Sequence, residues 1–113
     1  MPARTKGRAK FDFRGRAFVW WVDRDYWLRV SSLDKKFVIA YALGTAADTP
    51  PVVGVRGFEF PGIDRNEPRP VWLVAPELGG GPGNGMGSCV EQLLSWSFDP
   101  GHEINRTDPP RFA

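Results

Sequence analysis

Between residues 10 and 43 short apolar runs alternate with polar breaks, and the spacing is that of strands joined by tight connections. Phe11 and Phe13 alternate with Lys10 and Asp12, and Arg14-Gly15 then supplies a turn or a glycine bend. A second run extends from Arg16 to Val22, and the polar "DRD" at 23–25 separates it from Tyr26 to Ser31. "SSLDKK" precedes a further run, "FVIAYAL" at 37–43. β-Branched and aromatic residues crowd these runs, as a pleated, half-buried surface favours. Further on, "GTAADTPP" at 44–51 reads as a loop, because proline ends regular pairing. Val52 to Phe60 reads as a strand in which Gly54 and Gly57 place a bulge or bend. The polar loop "PGIDRNEPRP" at 61–70 leads to a short apolar strand, "VWLV" at 71–74.

The period changes once. From Val90 onward, Leu93, Leu94 and Phe98 fall on one face of a helix, with Cys89 and Trp96 at its border. Glu91, Gln92 and Ser95 fall opposite. Ser88 and Glu91 have capping-box spacing, which predicts a helix N-terminus at Ser88, and Pro100-Gly101 stops the helix. The pattern predicts an α+β domain: an antiparallel β-meander sheet of five or six strands with one C-terminal amphipathic helix packed on one face. Residues 10–98 form that domain. Residues 1–9 read as a basic amino-terminal arm, and 99–113 as a polar, proline-rich, loosely held tail.

A sheet with one face in water alternates apolar and polar positions. The run at 16–22 does not, since Ala17, Val19 and Trp21 share one face while Phe18, Trp20 and Val22 share the other. The run at 37–43 is also apolar on both sides. A helix of about three turns covers part of one face, so loops, a curled sheet, a second subunit or a ligand must cover the rest. Large bare apolar surface is uncommon on monomers.

Composition adds to this picture in two places. Aromatic residues make up 13% of the chain and include five tryptophans, a heavy load for a core this small. The net charge is only +2, yet six basic residues in the first sixteen are opposed by Asp12 alone. Such an arm touches phosphate or an anionic surface, or more simply keeps a terminus solvated. With one cysteine and one histidine, an internal disulfide, a four-cysteine zinc site and a histidine-rich metal site are excluded. We expect no cofactor. No charged segment followed by an apolar one opens the chain, and no run approaches a membrane span, so the expected compartment is the cytoplasm.

Residues 14–21, "RGRAFVWW", resemble the RNA-reading strand of an RNA-recognition motif, departing from its pattern at Arg16 and Trp21. In that fold a strand, a helix and another strand come first, and the thirteen residues before Arg14 cannot hold them. We therefore do not expect this chain to belong to that family. A generic aromatic and basic sheet face survives, because stacking and cationic side chains need no particular fold. Its candidate members are Arg14, Arg16, Phe18, Trp20, Trp27 and Arg29, with Val38 beside them. The same aromatics also suit a core or a subunit contact.

The remaining chemistry is thin. "ELGGGPGNGMGS" at 77–88 follows neither dinucleotide nor P-loop grammar, and reads as a linker more readily than as a phosphate cradle. Cys89, early in the expected helix, sits where a thiolate is favoured, although a small buried hydrophobe is the commoner role. His102 reads as a solvated tail residue. Glu59 lies between Phe58 and Phe60, and burial there would raise its pKa. No constellation supports a specific reaction, and a site around loops 57–70 and 77–88 is the weakest option. The sequence favours a non-catalytic interaction domain that binds a protein partner, or another copy of itself, through the aromatic sheet face. The alternative is a single-stranded nucleic-acid binder using that face and the basic arm.

Overall fold

The structure, a computed structural model, describes residues 8–24, 26–43, 45, 49–78 and 86–111. Asp25, the basic arm before Arg8, most of the 44–48 loop and glycine-rich residues 79–85 lie outside the described residues. Six strands, β1 (Ala9–Phe13), β2 (Arg16–Asp23), β3 (Trp27–Ser32), β4 (Val38–Ala42), β5 (Val52–Val55) and β6 (Val71–Val74), precede one helix, α1 (Met86–Ser97). Each strand pairs antiparallel with the next, so the sheet order is β1-β2-β3-β4-β5-β6. The α+β meander is therefore as the sequence predicts. Among the described residues, no helix is long and apolar enough to cross a membrane.

Local chemistry sets the connections. Arg14 and Gly15 both take positive φ, 53° and 83°, the geometry that matches a two-residue hairpin to strand twist. The Asp12 carboxylate accepts a hydrogen bond from the Gly15 amide and steadies that turn. Between β3 and β4 the buried Ser32 hydroxyl accepts from the Phe37 amide, while Asp34 accepts from the Ser32 hydroxyl and the Lys36 amide. The long strand expected at 52–60 stops at Val55, because Arg56 and Gly57 both donate their amides to the Val38 carbonyl and bend the chain away. A β-carbon at Gly57 would lie 2.3 Å from the Lys36 carbonyl oxygen, so only glycine permits this approach.

Register fixes which side chains share the helix face. Phe11, Phe18, Trp20, Leu28, Val30, Ile39, Tyr41, Val53, Val55, Val71 and Leu73 alternate onto it. There they meet Val90, Leu93 and Leu94 of α1, which are fully buried. Phe98, just past the helix, stacks on Phe13 at 6.2 Å and lies 4.8 Å from Phe37, which stacks on Phe60. Burying each such side chain contributes about 1.5–3 kcal/mol, and this face holds the domain together.

The helix begins at Met86, two residues before the expected Ser88 N-cap, so the capping box does not form. Inside the helix, the Ser88 hydroxyl and carbonyl both accept from the Gln92 side-chain amide one turn on. Beyond the helix, the chain returns to the sheet. Val74 donates its amide to the Asn105 carbonyl, Thr107 donates to the Trp72 carbonyl, and Arg106 pairs antiparallel with Leu73. The 105–107 segment thus lies along the outer edge of β6, and Arg106 adds a two-bond ion pair to Glu67.

Candidate interaction face

The face away from α1 carries a row of side chains that the register brings into line. Trp21 stands opposite Arg29, Arg29 opposite Ala40, Ala40 opposite Gly54 and Gly54 opposite Trp72. Extending the β1–β2 pairing by one residue puts Arg8 beside Trp21, and its guanidinium lies 4.0 Å from the ring centroid. Guanidinium and indole thus alternate across three strands, and two small residues follow. The small residues explain where the next rings go. Trp72 lies flat over Gly54, where a β-carbon would come within 2.6 Å of the indole. Trp27 stacks on Trp72 with centroids 5.8 Å apart, and the Arg29 guanidinium reaches over Trp27 at 5.9 Å. Asp23 accepts from Arg29 Nε at 2.9 Å and holds that guanidinium in the row.

This arrangement answers part of the covering problem. Ala40, Ala42 and Val52 lie on the open face yet are buried, in the region where the Trp27–Trp72 stack lies. Toward the other end of the sheet, Val19, Trp21 and Val38 border an open groove of about 450 Å3. Leu33, 59% exposed, forms another part of it, and Arg8 and Lys35 supply cations.

The six residues expected to form one binding face are divided. Phe18 is 1% exposed and belongs to the core, and Trp20 packs half-buried against it. Arg16 shares their side of the sheet, and Arg14 sits in the β1–β2 turn with its guanidinium near Phe13. Only Trp27 and Arg29 lie on the open face, where Val38 also lies. Trp21 and Trp72 were missed, because the sequence leaves open which of two apolar faces the helix takes, whereas Arg8 was expected only as part of the basic arm. The signal for them is the pair of small positions in "FVIAYAL", joined by Gly54, which leaves room for flat rings.

Glu59 does not behave as its apolar neighbours suggest. Phe58 is 62% exposed, so the carboxylate is not enclosed, and it accepts from both terminal nitrogens of Arg16 at 2.9 and 2.8 Å. That pairing holds the Glu59 carboxyl below the usual carboxylate range and raises Arg16. Asp34, 3.4 Å from Arg16, is lowered chiefly by the Ser32 hydroxyl. A charged, paired carboxylate is a poor proton donor, and the expectation of a raised pKa is overturned. Cys89 is placed one turn into α1, 5% exposed and within the core cluster, where attack on a substrate has no access. His102 is not a solvated tail residue. Its ring packs against Phe60 and Trp96, and its nitrogens face the carbonyls of Asp99 and Pro61.

No protein family, curated protein or solved structure matches this chain.

Proposed function

We propose that this chain is a small, non-catalytic, cytoplasmic interaction domain whose open sheet face receives a protein partner. The observation that carries the reading is the Arg8–Trp21–Arg29 row with its Trp27–Trp72 stack, on the face α1 does not cover. Tryptophan and arginine are the residues that dominate binding energy at protein interfaces. Here they are already held by one another and by Asp23, so little side-chain freedom is lost on docking. The groove beside Trp21 offers an apolar anchor its seat, with Arg8 and Lys35 favouring acidic groups around it.

The alternation of cation and ring also favours a second reading, a single-stranded nucleic-acid platform. Protein is preferred because the rings are engaged. Arg8 occupies a face of Trp21, and Trp27 and Trp72 occupy each other, whereas base stacking requires an open ring.

Selection of peptides from a displayed random library, followed by amide shift mapping, tests the proposal. Selected peptides are expected to shift Val19, Trp21, Arg29 and Val38, and to bind about tenfold or more weakly to Trp21→Ala. Peptides that map to α1, or that ignore this substitution, would overturn the reading. Tight binding of single-stranded oligonucleotides that weakens steeply with salt would replace it with the second.

A further inference from the structure

The two edges of the sheet differ. The β6 edge is covered by residues 105–107, whereas among the described residues no strand lies beyond β1. The β1–β2 turn determines what the β1 edge displays. In a two-residue hairpin the flanking residues, Phe13 and Arg16, exchange both backbone hydrogen bonds. Alternation then turns the amides and carbonyls of Ala9, Phe11 and Phe13 toward β2, and those of Lys10 and Asp12 outward. Both outward residues are exposed, and their side chains stand on the open face.

A second β1 running antiparallel can bond to this edge only where outward residues meet outward residues. Placing Lys10 opposite Lys10, or Asp12 opposite Asp12, sets like charges side by side and leaves part of the strand unpaired. The register centred on Phe11 uses all five residues. In it Lys10 faces Asp12 of the partner subunit, Asp12 faces Lys10 of the partner subunit, and the two Phe11 rings adjoin on the helix side. Opposite charges directly across a pair of strands attract, and like charges there repel. The sequence "AKFDF" is thus complementary to itself when centred on Phe11; centring on Asp12 adds Lys10 opposite Arg14, whereas centring on Lys10 sets Arg8 opposite Asp12 but juxtaposes the two lysines and pairs fewer residues of β1.

We infer that the β1 edge is a homodimer contact, joining two copies into one continuous twelve-stranded sheet about a two-fold axis through Phe11. The contact stands on the edge alone and is independent of what the tryptophan row binds. Pairing of five residues makes a small interface, so association is expected within about 1 μM to 1 mM.

Sedimentation equilibrium across that range, with charge reversals, tests it. Lys10→Asp and Asp12→Lys are each expected to weaken dimerisation about tenfold or more, since each places like charges opposite one another. The two variants mixed together, and the double reversal K10D/D12K, restore opposite charges at both positions and are expected to associate as wild type does. Lys10→Asp keeps the Asp12 bond to the Gly15 amide, which Asp12→Lys and the double reversal both lose, and therefore carries the test if those two variants unfold the hairpin. A wild-type chain that stays monomeric throughout, or reversals without effect, would overturn the inference. So would association that is lost on Trp21→Ala yet unmoved by the reversals, since the contact would then lie on the open face.

Discussion

At the scale of single residues, two positions carry measurable consequences. Glu59 has a folded-state pKa held down by Arg16, so its contribution is present above the unfolded carboxylate range. That contribution fades as pH falls through the depressed value. The side chains of Arg16 and Glu59 are 34% and 40% exposed, so solvent screens the pair and its worth is about 1 kcal/mol or less. Denaturant unfolding of wild type and Glu59→Gln is expected to differ by that small amount at neutral pH and to converge in acid. A difference that widened on acidification would contradict the pairing. Gly54 is the second position. Gly54→Ala pushes a methyl into Trp72 and is expected to destabilise by about 1–3 kcal/mol, the usual cost of overpacking. In a Trp72→Ala background the same change should cost far less, because the ring it strikes is gone. Equal costs in both backgrounds would mean that Trp72 does not rest on Gly54.

At the scale of elements, the strands and their order were legible because each has its own period and a short connection to the next. The face taken by the helix was not. In β2 both Phe18–Trp20 and Val19–Trp21 are good apolar pairs, and local pattern gives them equal claim. The choice is made by tertiary packing: Phe13, Phe18 and Phe37 converge on Phe98, while Ala40, Ala42 and Gly54 align only after register is fixed. Glu59 was misjudged for a related reason, since Arg16 lies 43 residues away in sequence and only the sheet brings them together. The helix start was misplaced because Met86 and Gly87 already belong to the helix, which puts Ser88 inside its first turn, where its oxygens accept from Gln92.

At the scale of the molecule, the chain beyond the helix closes the sheet at one side. Deleting residues after Gly101 removes the acceptor of the Val74 amide and the Arg106–Glu67 pair. Hydrogen exchange of the Val74 amide is expected to quicken about tenfold or more, with β2 and β3 much less affected. Uniform loss of protection across the sheet would instead make the segment integral to the core. Its position also sets how many neighbours a molecule can acquire through backbone pairing. With β6 occupied by its own chain, each copy has a valence of one along the sheet direction, and a unit of valence one terminates a growing chain instead of extending it. On the proposed β1 contact, edge pairing would stop at two copies, because a short return of chain past the helix occupies the other edge and denies a fibre its second site of growth.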